Sequence, residues 1–192
     1  MPIGQAKFGL LGGVEVEDLG KLELITTETA SSVYSVDILN ISETTYRFHL
    51  LVLSDITVSE NDNSVVLRFW YGGTPTLATS GYVTAGTSIN ESQTVANLGN
   101  LTNNARGVSN VGTDAGQSGG ASIWLYAAGV LAEDTFTNFH NVSQNSSDLT
   151  FTQYGGNWHD LTTNVNGIRI HTAANDTFSG NISLYGYSES SS

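Results

Sequence analysis

Ser118 is the residue whose surroundings come nearest to a catalytic pattern. The segment GQSGG, residues 116–120, matches the G-x-S-x-G motif, in which a sharp turn between a strand and a helix exposes the serine hydroxyl. Here the serine follows a glycine-rich stretch and precedes ASIWLY, which alternates as a strand does. No recognisable motif places a base for it, so we predict that Ser118 is not a nucleophile and that the protein is not an enzyme.

Metal ligands are also sparse in this sequence. The chain has no Cys, and its four histidines do not pair at the spacing of a metal site: His49, His140, His159 and His171. We therefore predict surface or interface histidines, with no metal and no other cofactor. One acidic turn, with Glu60 and Asp62 beside asparagines, offers oxygen ligands that suit Ca²⁺ but lacks the spacing of a known calcium loop. Solvation of these acids is the alternative.

The three tryptophans, Trp70, Trp124 and Trp158, are candidates for binding. A tryptophan exposed on a strand can stack on a sugar ring or anchor a contact between subunits. The alternative is that all three pack at the edge of the hydrophobic core.

The charge balance argues against two classes of partner. The chain carries 18 acidic residues but only 6 Lys and Arg, for a net charge of −12. So few cations cannot neutralise many phosphates, and we expect neither nucleic-acid binding nor attraction to an anionic membrane surface. No apolar run approaches the roughly 20 residues that a membrane-spanning helix needs.

An alternation with a period of two runs through most of the 192 residues and predicts an all-β fold. Examples are TYRFHLLVL, SVVLRFWY, ASIWLY and DLTFTQY, which are separated by turn segments such as SENDNS, SQNSSD and TAAND. About eight to ten such strands favour one antiparallel β-sandwich of jelly-roll type. We divide the chain into an N-terminal arm (residues 1–20), the sandwich domain (21–187) and a flexible C-terminal tail (188–192).

Two segments depart from this alternation. Residues 84–120 are polar and rich in glycine, which predicts a long loop that either contacts a neighbouring subunit or lies plainly on the surface. Residues 127–136, AAGVLAEDTF, could form a helical turn, although Gly129 disfavours it.

Two stretches resemble a family of small virion proteins from tailed bacteriophages, common among marine phages. Within residues 20–56, Thr29–Ala30–Ser31 follows an early strand, and Thr45–Tyr46–Arg47–Phe48 leads into an apolar strand, as in that family. Near the C-terminus, Gly167–Ile168–Arg169–Ile170 corresponds to its GIRF-like strand, and SGNISLYG (179–186) corresponds to its SGTxxLYG-like ending. The resemblance spans most of residues 20–187.

This resemblance implies a jelly-roll subunit on the exterior of a virion, with no catalytic residue. It implies a symmetric homo-oligomer, often a trimer, that contacts other capsid or tail proteins. A short arm with a compact head suits a capsid-decorating (cement) subunit or a small tail or fibre-tip subunit. The alternative function is a carbohydrate-binding module that recognises a host surface glycan. An exposed row of tryptophans on one sheet would favour this alternative.

The arm itself is unusually apolar for a solvated tail. Its apolar residues stand among glycines that disfavour a stable helix: Ile3, Phe8, Leu10, Leu11 and Val14. We hypothesise that the arm orders when it docks onto the virion or a neighbouring subunit. The alternative is that it packs along its own domain.

Overall fold

The structure is a computed structural model that describes residues 21–39, 41, 45–46, 48–126, 128, 134–159, 165–174 and 176–188. Thirteen strands account for most of these residues, and none of the described residues is helical; in the 127–136 segment, Thr135 and Phe136 already belong to a strand. The first seven are β1 (Lys21–Val33), β2 (Ser35–Leu39), β3 (Phe48–Val58), β4 (Asn63–Tyr71), β5 (Thr76–Leu77), β6 (Tyr82–Asn90) and β7 (Val95–Asn97). The others are β8 (Ala105–Val111), β9 (Gly119–Tyr126), β10 (Thr135–Gln144), β11 (Thr150–His159), β12 (Val165–Thr172) and β13 (Phe178–Ser188).

The strands form two antiparallel sheets packed face to face, which confirms the predicted all-β sandwich. The larger sheet has the order β1-β13-β3-β9-β10-β11-β6-β7. The smaller sheet has the order β2-β12-β4-β5, and β8 also pairs with β4. Four pairs of consecutive strands, β1/β2, β3/β4, β8/β9 and β12/β13, each place one strand in either sheet. The strands β10, β11, β6 and β7 widen the larger sheet beyond β9.

The hydrophobic core lies between the sheets and follows the predicted alternation. Apolar side chains from the larger sheet meet those of β4 and β12, and the central ones are almost fully buried: Leu51, Leu53, Ile123, Leu125, Ile182, Leu184, Leu67, Phe69, Ile168 and Ile170. Burying each such side chain stabilises the fold by about 1.5–3 kcal/mol relative to exposure. The alternation of "GIRI" and "VVLRFWY" therefore identified the core face of the smaller sheet.

The C-terminal strand, β13, lies between β1 and β3 in the larger sheet. Phe178, like Ile182 and Leu184, points into the core. Gly180 has a φ of +147°, and a Cβ there would lie 2.6 Å from the Ile56 side chain, so this close approach requires glycine. The strand continues beyond Gly186 to Ser188, which pairs with Lys21.

The prediction of a long loop at residues 84–120 is wrong, since most of β6 and all of β7 and β8 lie within this segment. The strand β8 is buried, with Val108 and Val111 inaccessible to solvent. The partly polar sequence of β8, ARGVSNV, does not indicate a buried strand. Polar residues are compatible with burial here because the side chains that face β8 from the larger sheet are themselves polar. Those side chains hydrogen-bond the edge of β8 that β4 leaves unpaired.

Side chains from β10 and β11 take the place of a neighbouring strand along that edge. The Asn141 Nδ2 donates to the Gly107 carbonyl at 2.8 Å, and the Arg106 N–H donates to Asn157 Oδ1 at 3.1 Å. The Ser143 hydroxyl donates to the carbonyl of Ser109. Because buried backbone groups must be hydrogen-bonded, amides and hydroxyls occupy inward positions where apolar residues are usual.

The TYRFHLLVL run carries apolar residues on both of its faces. Phe48, Leu50 and Val52 form its more apolar alternation, but they face away from the core, while His49 and Leu51 point inward. Both sets are apolar because the outer face of this sheet is itself apolar at this end. The arm and its five apolar residues, and the tail after Ser188, lie outside the described residues, as do all but four residues of the 127–136 segment.

Candidate functional site

The outer face of the larger sheet carries a continuous row of apolar side chains. Register pairs link one outward residue from each of seven neighbouring strands, and we call this row the aromatic band: Leu22, Tyr187, Phe48, Tyr126, Phe136, Trp158 and Val83. Directly paired residues share a face and lie about 4.5–5.5 Å apart at their Cβ atoms. The band therefore crosses nearly the whole width of the sheet.

The ring contacts make one half of the band a packed aromatic cluster. Phe48 stacks on Tyr187 with ring centroids 4.5 Å apart and an interplanar angle of 8°. The edge of Trp124, from the next row, meets Phe48 at 5.4 Å, and Tyr126 lies 6.0 Å from it. In the other half the side chains are open to solvent, and Phe136 is 48% exposed. Exposed apolar area of this extent commonly marks an interaction surface.

The same face is free of formal charge over three consecutive rows. The two rows beside the aromatic band cross the six strands from β13 to β6 in register: Tyr185, Leu50, Trp124, Asn138, Gly156 and Ala85, then Ser183, Val52, Ser122, His140, Tyr154 and Thr87. These rows, and the band itself, contain no Asp, Glu, Lys or Arg. In a chain with a net charge of −12, the charged residues have been placed elsewhere.

The three tryptophans are divided between the two sheets. Trp124 and Trp158 lie on the uncharged face but in different rows, so they do not form the row of tryptophans that would favour glycan binding. Trp158 is 36% exposed, and its Nε1 donates to Asp134 at 2.9 Å. Trp70 lies on the outer face of the smaller sheet. None of the three belongs to the buried core cluster.

Trp70 belongs to a polar cluster that fixes the position of Arg169. The Arg169 guanidinium lies 4.7 Å from the Trp70 ring centroid and donates to both oxygens of Asp37, at 2.8 and 2.7 Å. The Trp70 Nε1 donates to the same carboxylate at 2.9 Å. Burial acts to raise the pKa of Asp37, but the hydrogen bonds from Arg169 and Trp70 outweigh it, and the pKa is lowered. Arg169 is thereby held rigidly and charged.

A cavity of about 210 Å³ lies beside this cluster on the smaller sheet. We call it the arginine pocket, and its lining is Tyr34, Ser35, Arg68, Arg169, His171 and Thr172. Arg68 enters from β4 and pairs in register with Arg169 on β12. The Arg68 Nε donates to the Asn103 carbonyl at 3.1 Å and to Asn104 Oδ1 at 2.8 Å. These bonds turn the arginine side chain toward the 103–104 segment.

His171 shares the asparagine that Arg68 contacts. Its Nε2 lies 3.1 Å from Asn104 Oδ1, and its Nδ1 lies 2.7 Å from the Thr172 carbonyl oxygen. Burial lowers the pKa of His171, and Arg68 and Arg169 lower it further, against the opposing effects of the Thr172 hydrogen bond and Asp37. This pocket was not predicted from the sequence. The pattern that could have indicated it is an arginine at an outward position in each of two strands.

The residues considered for catalysis and metal binding are dispersed. Ser118 precedes β9 directly, without the helix that a nucleophile elbow needs. Among the described residues, no group of three His, Asp or Glu side chains is placed to hold a metal ion. Asp62, from the acidic turn, accepts hydrogen bonds from the backbone and hydroxyl of Ser146, which ties this turn to the β10–β11 connection. Glu60 is exposed.

The histidines occupy four separate environments. His49 and His159 are buried on inward faces of the larger sheet, which contradicts the expected surface or interface positions for these two. The His159 ring meets the edge of Tyr82 at 4.2 Å and so belongs to the core packing. His140 is exposed on the uncharged face, and His171 lines the arginine pocket.

No protein-family model, curated protein or solved structure matches this chain. Within the part of the chain that the structure describes, no helix is long and apolar enough to cross a membrane.

Proposed function

We propose that this protein is a non-enzymatic structural subunit on the exterior of a bacteriophage virion, and that it assembles with copies of itself through the outer face of its larger sheet. The observation that carries the proposal is the uncharged face with its aromatic band. The resemblance of residues 20–56 and 167–186 to phage virion proteins supplies the biological setting. A trimer is the oligomer that this resemblance implies.

We further propose that the sandwich is a jelly roll with insertions. The order β1-β13-β3-β9 in one sheet and β2-β12-β4-β8 in the other supports this. The eight strands alternate between the two sheets along the chain, except that β4 and β8 are paired neighbours in one sheet. The additional strands β5–β7 and β10–β11 enter as two insertions in the chain. Eight-stranded jelly rolls serve viral capsid and lectin domains, so the topology is compatible with a virion subunit and with a glycan binder.

A second copy of this chain fits the uncharged face better than a charged partner does. Each copy carries a net charge of −12, and contact through charged surfaces would bring like charges together. Three uncharged rows avoid this repulsion. Seven strands at about 4.8 Å spacing and three rows at about 6.8 Å span about 30 by 15 Å between Cα atoms, and side chains extend this further. The span between Cα atoms is about 450 Å², more than half of the roughly 800 Å² that each partner contributes to a specific interface.

Substitution of Phe136 by glutamate tests this assembly. Phe136 lies in the aromatic band and is 48% exposed, so the change does not disturb the core. In an interface it would bury an unpaired carboxylate, and we expect the oligomer's dissociation constant to rise at least about a hundredfold. Light scattering coupled to gel filtration at micromolar concentration should give a monomer for the variant and a larger species, expected to be a trimer, for the parent.

Leu39→Glu is the matched control. Leu39 has the same 48% exposure but lies on β2 of the smaller sheet. It introduces the same charge, so the parent oligomer should persist. A parent chain that is monomeric at these concentrations and on its particle, or a control that dissociates equally, would refute assembly through this face.

The virion location needs its own measurement. Antibodies against the purified domain, applied to intact particles of a phage that encodes it, should label either the head or the tail in electron micrographs. Labelling of the head indicates a decoration subunit, and labelling of the tail indicates a tail or fibre-tip subunit. Absence of the chain from purified particles by mass spectrometry would refute the virion role. Docking of the N-terminal arm stays a hypothesis.

A second candidate function is glycan binding. The division of the tryptophans between two sheets weakens the original argument for it, since they do not line one surface. The arginine pocket instead favours this function, because it combines charged, hydroxyl and aromatic groups around one cavity.

A further inference from the structure

We propose that the arginine pocket binds the carboxylate of an acidic sugar, with Arg68 and Arg169 holding the carboxylate and Tyr34 contacting the sugar ring. This deepens the glycan-binding candidate and does not depend on self-assembly through the larger sheet. The two surfaces belong to opposite faces of the sandwich, so a subunit that assembles through one still presents the other.

Two cations stand side by side at the arginine pocket. Arg68 and Arg169 are direct partners across the β4–β12 pair, where like charges destabilise a sheet. The chain has only six Lys and Arg in total, and two of them stand together at this position. A bound anion between them would reduce the repulsion. The bonds to Asp37 use Nε and Nη2 of Arg169, and the bonds to the 103–104 segment use Nε of Arg68. Nη1 of Arg169 and both terminal nitrogens of Arg68 have no hydrogen-bond partner among the described residues, and they can donate to a carboxylate.

The protein compensates only one of these charges. Asp37 pairs with Arg169. No carboxylate among the described residues lies within ion-pair distance of Arg68, whose bonds go to a carbonyl and an amide oxygen. Local charge in the pocket is therefore positive on a strongly acidic protein. Arg169 is preorganised between Asp37 and Trp70, which lowers the ordering cost of binding.

The lining of the pocket also offers groups for the sugar ring. Tyr34 lies between β1 and β2, lines the cavity and is 66% exposed, so its ring is available for a ligand. Aromatic rings pack against the apolar faces of sugars, and Ser35 of the lining carries a hydroxyl that suits a sugar hydroxyl. The volume of about 210 Å³ is below the roughly 300–1,000 Å³ of pockets for drug-sized ligands. One monosaccharide unit therefore suits the cavity.

His171 supplies an internal reporter of binding. It faces the pocket beside Arg68 and Arg169, with Asp37 as the nearby carboxylate and Tyr34 at the opening. Its pKa is lowered mainly by burial and then by the two arginines. A bound carboxylate favours the imidazolium, so the ligand should raise the pKa of His171, and binding should tighten as the pH falls through that pKa.

The experiment titrates the full-length protein with galacturonate, galactose, acetate and inorganic phosphate by calorimetry, and follows the His171 imidazole resonances by NMR. We expect galacturonate to bind with a dissociation constant on the order of 1 mM and galactose to bind at least about tenfold more weakly. Arg68→Gln should weaken galacturonate binding at least about tenfold. Arg106→Gln is the matched control, since Arg106 bonds the Gly99 carbonyl, does not line the pocket and should leave binding unchanged.

Tyr34→Ala separates sugar recognition from simple anion binding and keeps the proposal testable should Arg68→Gln fail to fold. It should weaken galacturonate binding while leaving acetate binding unchanged. Equal affinity for galactose and galacturonate, or for phosphate and galacturonate, would overturn the acidic-sugar assignment, as would absence of any saturable signal. The oligomer mass of each variant, measured in parallel, shows whether self-assembly holds independently of the pocket result.

Discussion

Acid sensitivity from a buried histidine is a consequence of this fold that can be measured directly. His49 points inward from β3 and is inaccessible to solvent, between Leu125 and Gly186 on the neighbouring strands. Neither ring nitrogen has a hydrogen-bond partner among the described residues, and the nearest ring contact is the edge of Tyr46 at 5.8 Å. Burial lowers the pKa of this imidazole from 6.5 to about 4. The folded protein therefore holds His49 neutral, while the unfolded chain exposes an ordinary histidine.

The sign and size of the effect follow from the two pKa values. Between pH 6.5 and 4 the unfolded state binds the proton and the folded state does not, so stability falls as the pH falls through this window. Relative to pH 8, His49 should lower the unfolding free energy by about 1.4 kcal/mol at pH 5.5. In a chain of this size that corresponds to about 3–6 °C in the unfolding midpoint temperature.

The assay compares urea unfolding of the parent and of His49→Leu at pH 8 and pH 5.5. Leucine fills a similar volume without a group that can titrate, so the variant should lose about 1.4 kcal/mol less on acidification. Ile123→Val, a core substitution without a titratable group, is the control and should keep the parent's acid loss. If the parent and His49→Leu lose the same free energy between the two pH values, the buried imidazole is not the cause and the reasoning is wrong.

Two further substitutions test the packing of the core and of the sheet. Tyr82→Phe removes a buried hydroxyl that accepts from the Phe69 N–H at 2.8 Å, and should cost about 1–3 kcal/mol in urea unfolding; a loss below about 0.5 kcal/mol would contradict this. Gly155→Ala would place a Cβ 2.2 Å from the Ala85 carbonyl oxygen, so the β11–β6 pair must separate and the unfolding midpoint should fall sharply. Gly73→Ala, with open space around it, should leave the midpoint unchanged, and equal effects at both glycines would contradict the close approach.

The sequence predicted the fold class because the core signal is local. The runs around Leu67 and Ile170 bury one face and alternate with polar residues, and this pattern needs no knowledge of their partners. The strand β8 escaped prediction for the opposite reason. The burial of β8 depends on hydrogen bonds with two asparagines, Asn141 as donor and Asn157 as acceptor. Both lie more than thirty residues further along the chain. Side chains that would mark a loop by composition here act as the neighbour of a strand.

The two proposed interaction surfaces, the uncharged face and the arginine pocket, both depend on strand register, which the sequence does not reveal. Phe136 and Trp158 belong to one row only because β10 and β11 pair at Thr135 with His159, and a shift of either strand by one residue would turn its own aromatic side chain inward. Arg68 and Arg169 likewise meet only through the β4–β12 register. The outward face of an apolar strand such as FHLLVL could still have been suspected, because both of its alternations are apolar and only one can fill the core.

The distribution of charge connects the two surfaces. An acidic chain that only needed solubility could carry its carboxylates on any exposed strand position, yet three rows of the larger sheet have none, while two of its few arginines stand together on the smaller sheet. A single contact with a basic partner would explain neither feature, since the exposed uncharged rows offer it no carboxylate and the arginine pocket would repel it. Self-contact on one face and an anionic ligand on the other account for both. The two proposed activities should then be separable by mutation. Phe136→Glu should prevent assembly and leave galacturonate binding intact, whereas Tyr34→Ala should weaken galacturonate binding and leave assembly intact. Loss of both functions in either variant would mean that the surfaces are coupled, contrary to their placement on opposite faces of the sandwich.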